Sequence, residues 1–94
     1  MTVKPIANFL EISTEPEQFK SEIFIKINAQ QEEHYILSFF HQSGRVLRMM
    51  GVNISPGYQT IAISELDNLP EGSYQLQIRD AGGNKLYVKD VKKI

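Results

Sequence analysis

The stretch that most constrains the fold of this chain is a turn followed directly by a run of alternating side chains. The turn at 69–72 contains Pro70, whose ring fixes φ, and Gly72, which accepts a positive φ without a Cβ clash. Apolar residues then alternate with polar ones, at Tyr74, Leu76 and Ile78. A period of two predicts a β-strand with one buried face and one solvated face.

Six further segments have the alternation or the β-branched and aromatic content of strands, and turn residues separate them. The seven predicted strands lie at 9–14, 23–27, 35–40, 46–50, 58–63, 73–80 and 85–89, the last continuing to 94. No stretch of helical period is longer than about two turns. We therefore predict an all-β fold, a seven-stranded antiparallel immunoglobulin-like β-sandwich, as a single domain over 1–94 with 1–7 as a loose lead-in.

The connections between these strands are interpreted from their turn residues. Residues 15–18 are predicted to be a connection without strand structure, because they contain a proline. A loop is predicted at 51–57 and one helical turn at 64–68, which would place Leu69 over one end of the core. A β-bulge near Asp90 is predicted to reconcile the parity of the apolar residues on either side of it.

Composition excludes several classes of partner and site. Ten basic and eleven acidic residues give a net charge of −1, so no long-range field would hold a nucleic-acid backbone. The chain has no cysteine, and therefore no disulfide or thiolate metal site. No apolar run approaches the ~18 residues of a membrane span. The first residues lack the apolar region of a signal peptide, so we expect either a cytoplasmic protein, if 1–94 is the complete product, or part of a longer exported chain.

The side chains that could carry chemistry do not form a catalytic pattern. His34 and His41 flank one predicted strand, roughly 23 Å apart in extended conformation, and point to opposite faces, so they cannot share a metal. The Gly-x-Ser-x-Gly motif is absent, and the acidic residues near turns lack calcium-loop spacing. We predict no catalytic residue, no cofactor and no metal, and hence a protein that is not an enzyme.

Several aromatic residues leave a carbohydrate-binding module open as an alternative. Sugar-binding sandwiches stack pyranose rings on exposed aromatic side chains, and four candidates are present: Phe24, Phe40, Tyr58 and Tyr87. A second packed face or a protein-binding surface explains the same residues equally well.

Four motifs in the second half of the chain share their order with a known family. They are Phe39-Phe40-x-x-x-Gly44-Arg45-x-Leu47, Gly57-x-x-Thr60-Ile61-x-Ile63, Leu69-Pro70-x-Gly72-x-Tyr74-x-Leu76-x-Ile78, and Lys85-x-x-x-Lys89-x-Val91-Lys92-Lys93. In these motifs the segment 38–94 resembles the C-terminal sorting domain of cargo proteins of the type IX (Por) secretion system of Bacteroidota. A group of small exported immunoglobulin-like domains shares the Leu-Pro-x-Gly-x-Tyr strand, and implies instead a stand-alone structural or adhesion module.

The resemblance to the sorting domain implies a non-catalytic module that follows an enzyme or adhesin and directs it across the outer membrane to the cell surface. It implies two partners, the outer-membrane secretion translocon and a surface sortase. The matching positions with structural roles in turns or core are Gly44, Leu69, Pro70, Gly72 and Tyr74. The matching positions free to contact a partner are Arg45, Lys92 and Lys93, although lysines on a terminal strand also keep an edge from pairing with another sheet. We expect a monomer.

Overall fold

A computed structural model describes residues 10–94, and within them it contains eight β-strands and no helix. The predicted lead-in at 1–7 lies outside the described residues. The strands are β1 (Leu10–Glu15), β2 (Gln18–Phe19), β3 (Ile23–Ala29), β4 (Glu33–His41), β5 (Val46–Ile54), β6 (Gly57–Ile63), β7 (Gly72–Asp80) and β8 (Lys85–Lys93). No helix that could span a membrane occurs in this part of the chain.

The strands form two sheets, which confirms the predicted all-β sandwich. One sheet has three strands in the order β1-β3-β6, and the other has five in the order β2-β8-β7-β4-β5. Neighbouring strands are antiparallel except for β2 and β8, which are parallel. The order β1-β3-β6 opposite β8-β7-β4-β5 corresponds to strands A-B-E opposite G-F-C-C′ of immunoglobulin-like sandwiches.

The core lies between the sheets and is built from alternate residues of the central strands. Every second residue of β3, β4 and β7 is buried: Ile23, Ile25, Ile27, Tyr35, Leu37, Phe39, Tyr74, Leu76 and Ile78. Successive side chains of a strand point to opposite faces, so each of these sets covers one side of its sheet. The inward residues agree with those expected from the alternation in the sequence.

Tyr74 joins the turn before β7 to the centre of this core. Its ring is stacked on Phe39, with centroids 5.4 Å apart and planes 5° apart, and meets Phe19 edge-on at 5.9 Å. Its hydroxyl donates a hydrogen bond of 2.6 Å to the carbonyl oxygen of Pro70. A tyrosine near the start of a strand that bonds back to the preceding backbone is the tyrosine corner of immunoglobulin-like domains.

The prediction that 15–18 has no strand structure is wrong, and the strand count is eight rather than seven. Gln18 and Phe19 form β2, which pairs in parallel with Lys92 and Lys93 of β8. Phe19 is fully buried in the core. A strand of two residues is too short to show an alternation, so only the packing of Phe19 and its partner strand reveal it.

The predicted loop at 51–57 is also wrong, because β5 continues through Gly51 to Ile54 and pairs with β4 over its whole length. Gly51 lies under the ring of His34, and an added Cβ would approach that ring to 3.2 Å. The glycine therefore marks the close approach of a neighbouring side chain within a strand. Only residues 55 and 56 separate β5 from β6.

Two further expectations about the connections need correction. Residues 64–68 form no helical turn, and Leu66 rather than Leu69 is fully buried, with its N–H bonded to the carbonyl of Ser21. Strand β8 has no bulge near Asp90; its pairing with β7 shifts between Ile78 and Arg79 instead. The inward parity of β8 is therefore that of Tyr87 and Val91, whereas Leu86 and Val88 have the opposite parity and are exposed.

We predict that Tyr74→Phe lowers the free energy of unfolding by about 1–2 kcal/mol, since it keeps the packing but removes the hydrogen bond to the Pro70 carbonyl. Tyr58→Phe is the control, because Tyr58 is 86% exposed and should tolerate the same change without effect. Denaturant unfolding of both variants checks this. Equal stability of Tyr74→Phe and the wild type would show that the corner does not stabilise the fold.

The turn between β7 and β8 predicts a dependence of stability on pH. Asp80 accepts hydrogen bonds from the side chain and backbone of Asn84 and from the backbone of Gly82, and these bonds lower the pKa of its carboxyl below the usual 3.8. Because the folded pKa is the lower one, the stabilisation is present above pH ~4 and is lost as the pH falls through the folded pKa. We expect the difference in the free energy of unfolding between wild type and Asp80→Asn to shrink below pH ~4. Asn84→Ala should weaken this pH dependence. Denaturant titrations between pH 7 and 2 measure both effects. A gap that is unchanged at pH 2 would contradict the assignment.

Candidate functional site

Parts of three of the four sequence motifs meet at one end of the five-stranded sheet, which we call the motif end, whereas the fourth, 57–63, forms β6 of the other sheet. The motif end is formed by the end of β4, the 41–45 turn, the start of β7 and the end of β8. In the register of the sheet, His41 is opposite Tyr74, Ser73 is opposite Lys92, and Gly72 is opposite Lys93. Motifs that are far apart in the sequence are thus adjacent in the sheet.

The 41–45 turn is tightly fixed by its backbone. Gly44 has a φ of 93°, and its N–H donates to the carbonyl of His41 at 2.8 Å. The N–H of His41 donates in turn to the Arg45 carbonyl at 2.9 Å, and the N–H of Gln42 donates to the Ser73 carbonyl at 3.1 Å, which ties the turn to β7. Arg45 is therefore presented at a defined position, with its side chain exposed.

His41 contributes to the rigidity of the same turn. Its Nδ1 accepts a hydrogen bond from the backbone N–H of Ser43 at 3.1 Å and lies 2.9 Å from the Ser43 hydroxyl. The imidazole also meets the ring of Tyr74 edge-on, with centroids 5.4 Å apart. The turn and the core thus share one aromatic contact at the motif end.

Strand β2 holds the other side of the motif end. The N–H of Lys92 donates to the Glu17 carbonyl at 2.8 Å, and the N–H of Ile94 donates to the Phe19 carbonyl at 3.0 Å. Lys92 is exposed, but Lys93 is only 8% exposed and its ammonium donates to the carbonyl of Ile94 at 3.2 Å. The expectation that Lys93 is freely available is wrong, because it shares the inward parity of Val91.

The motif residues that were predicted to have structural roles in the turn before β7 do lie in that turn or against the core. Gly72 has a φ of 149°, Leu69 is partly buried against the core, and Pro70 supplies the carbonyl for the tyrosine corner. Within the motif end, only Arg45 and Lys92 combine a family position with an exposed cation. The sequence also predicted Lys93 as an exposed cation, because the motif by itself does not show which of the two neighbouring lysines faces inward.

A ladder of polar side chains crosses the outer face of the five-stranded sheet beside the motif end. Gln75 donates to Asp90 at 3.0 Å, Gln77 donates to Gln75 at 2.7 Å, and Arg79 donates to Gln77 at 3.3 Å. The alternation of these β7 residues is visible in the sequence, but the register with β8 is what adds Asp90. The ladder and Phe40 line a shallow depression of about 380 Å³ that offers hydrogen bonds and one aromatic face.

The side chains with catalytic or metal-binding potential stay apart. His34 and His41 lie at opposite ends of β4, and Nδ1 of His34 is 2.9 Å from Oδ1 of Asn53. Among residues 10–94 no group of three or more His, Cys, Asp or Glu side chains could hold a metal. Burial, followed by the charges of Glu33 and Asp80, raises the pKa of Tyr35, so this phenol is a hydroxyl group rather than a base.

The four aromatic candidates for sugar stacking do not form one platform. Tyr58 is exposed on β6 and Phe24 lies on β3, both in the three-stranded sheet, whereas Phe40 lies on the outer face of the other sheet. Tyr87 points inward, and its hydroxyl is 2.9 Å from that of Thr14.

Comparison with known proteins gives matches among solved structures. No family model and no curated protein matches the sequence. Latent PorU from Porphyromonas gingivalis, crystallised as a dimer, is similar over 98% of this chain and 10% of its own, with a TM-score of 0.72 and 14% identity. A β-glucosidase from Listeria innocua in complex with isofagomine (TM-score 0.54, 12% identity) matches over 92% of this chain and 16% of its own. A β-glucosidase from Kluyveromyces marxianus (TM-score 0.55, 15% identity) matches over 93% of this chain and 14% of its own.

These comparisons show the fold of the chain. The identities are low, and the chain spans only a small part of each of these larger proteins. In all three, a region with this fold is joined to much more polypeptide.

We predict that Gly44→Ala destabilises the protein by about 1 kcal/mol, because an L-residue with a Cβ is strained at a φ of 93°. Gly82→Ala is the matched control, since Gly82 lies in the other exposed turn and lacks a positive φ. Denaturant unfolding compares the two. A larger effect at Gly82 would show that the conformation of the 41–45 turn does not require glycine.

Proposed function

We propose that this chain is a non-catalytic sorting module of the type IX secretion system, which directs an attached cargo protein across the outer membrane to the cell surface. The observation that carries the proposal is that parts of three of the four motifs resembling the family, distant in sequence, are adjacent at one end of one sheet. The fold similarity to a region of PorU, a type IX secretion component, supports the same context.

The motif end has the properties of a recognition surface for a protein partner. Its backbone is fixed by the hydrogen bonds of the 41–45 turn and of β2, so little conformational entropy would be lost on binding. Arg45 and Lys92 present exposed cations on this rigid base. In the proposed function these two side chains contact the translocon or the surface sortase, and electrostatic complementarity selects the partner.

The remaining motif residues act through the fold. Tyr74 is buried and bonded to Pro70, and Gly44 and Gly72 supply the backbone conformations of two turns. In this proposal the module acts by being bound and carries out no reaction. Its cargo would precede it in a longer exported chain.

A second function is favoured by the similarity to the two β-glucosidases. In those enzymes the matching region is 14–16% of the chain, as expected of an accessory domain. A structural or adhesion module of a larger exported protein would have the same fold, but would not need Arg45 or Lys92. The two functions therefore differ in whether the motif end is required.

We expect a reporter fused between a signal peptide and residues 1–94 to reach the cell surface or medium of a bacterium with a type IX pathway. Lys92→Glu should reduce the exported fraction roughly three- to tenfold, because it reverses a charge at the recognition surface. Cell fractionation and surface labelling of the reporter measure this.

Lys85→Glu is the matched control, since Lys85 is also exposed on β8 but lies at the opposite end of the strand. Retention of the wild-type fusion in the periplasm would exclude the sorting function and favour the accessory domain. Equal export of both variants would exclude Lys92 from recognition.

A further inference from the structure

The longest unpaired sheet edge in the described part of the chain belongs to β5. β2 pairs only with Lys92 and Lys93, which leaves the rest of β8 without a partner on that side, and four of the described strands lie at edges: β1, β2, β5 and β6. They contain six, two, nine and seven residues. An edge strand carries a row of unpaired backbone N–H and C=O groups that can accept another strand.

Strand β5 also lacks most of the features by which proteins protect such edges. It contains no proline, lysine or acidic residue, and its one irregularity, at Leu47, lies near its beginning. Val46 and Met49 are 44% and 63% exposed. The edge strand β1, in contrast, carries Glu15, which is paired with Lys26 at 2.8 Å.

The charges around β5 are arranged with opposite signs at its two ends. No acidic residue occurs from His34 to Ser64, and the only Lys or Arg residues in that stretch are Arg45 and Arg48, near the beginning of β5. At the other end, Ile54 is paired with Glu33. Arg48 donates to the carbonyls of Ser64 and Glu65 at 3.1 Å, whereas the side chain of Arg45 makes no hydrogen bond or ion pair with the described residues.

We propose that β5 pairs antiparallel with β5 of a second copy of this chain, around a two-fold axis at Met50, so that two five-stranded sheets become one. Charge complementarity favours this occupant, because antiparallel pairing sets the Arg45 end of one copy beside the Glu33 end of the other. The same register sets the exposed Met49 opposite Gly51, which has no side chain. Each contact is made twice, as in an isologous dimer.

The interface is one strand pair and its neighbouring side chains, which is smaller than the ~800 Å² per partner of a standard stable interface. The proposed dimer is therefore weak and exchanges with the monomer. The inference does not depend on the proposed sorting function, and its test uses purified protein rather than secretion.

The first test measures mass against concentration by sedimentation equilibrium. The weight-average mass should rise above the monomer value of 10.7 kDa as the protein is concentrated toward ~1 mM, as a weak interface requires. Met49→Lys should weaken the association at least tenfold, because a lysine on an edge opposes strand pairing. Tyr58→Lys makes a new lysine on the β6 edge and should leave the association unchanged.

The second test uses the absence of native cysteine, which makes single-cysteine variants unambiguous. Residue 50 is the position that faces itself across the proposed axis, at a separation that a disulfide can span. Met50→Cys should therefore form a disulfide-linked dimer under mild oxidation, and faster than Tyr58→Cys, although Tyr58 is 86% exposed. Circular dichroism and the unfolding transition confirm that both variants are folded.

Three results would overturn the proposal. A mass that stays at the monomer value at ~1 mM would leave the β5 edge available to an extended segment of another protein instead. Loss of association in Tyr58→Lys but not in Met49→Lys would assign the interface to β6. Slower cross-linking of Met50→Cys than of Tyr58→Cys would exclude the Met50 register.

Discussion

The aromatic contact between Tyr74 and Phe39 is the interaction on which the rest of the structure depends. It lies where β7 meets β4 in the centre of the five-stranded sheet, and Phe19 packs edge-on against both rings. Because the Tyr74 hydroxyl is bonded to the Pro70 carbonyl, the same side chain fixes the core and the turn that enters it. Aromatic pairs of this geometry add to the free energy of burial, and a satisfied hydroxyl avoids the cost of an unpaired polar group.

The motif residues are of two kinds, those engaged in the core or the turn and those exposed to solvent. Tyr74 is buried in the core, while the carbonyl of Pro70 and the backbone of Gly72 serve the turn that precedes β7. Arg45 and Lys92 remain in solvent beside them. These sequence motifs therefore mostly describe how one end of the β-sandwich is closed, with the exposed side chains of Arg45 and Lys92 beside it.

The two edges of the five-stranded sheet differ. At one side, β2 pairs with Lys92 and Lys93 at the end of β8, and the backbone of Glu17 and Phe19 anchors that end. At the other, no strand of residues 10–94 lies beyond β5, and Arg48 connects β5 to the carbonyls of residues 64 and 65. One edge of this sheet is thus paired over two residues, whereas the β5 edge has no partner strand among the described residues over all nine, and strand pairing with another chain is geometrically possible there.

The amino-acid sequence by itself determined the all-β class, the inward residues of β3, β4 and β7, and the turns at Gly44 and Gly72, because period-two alternation and positive-φ glycines are local properties. It also supplied the residues of the candidate site. Only the tertiary structure decided that Phe19 forms a strand, that β5 passes through Gly51, and that Lys93 is buried while Lys92 is exposed. Each of these depends on a partner strand or side chain distant in sequence, and the same long-range pairing sets the register that brings the end of β4, the start of β7 and the end of β8 together.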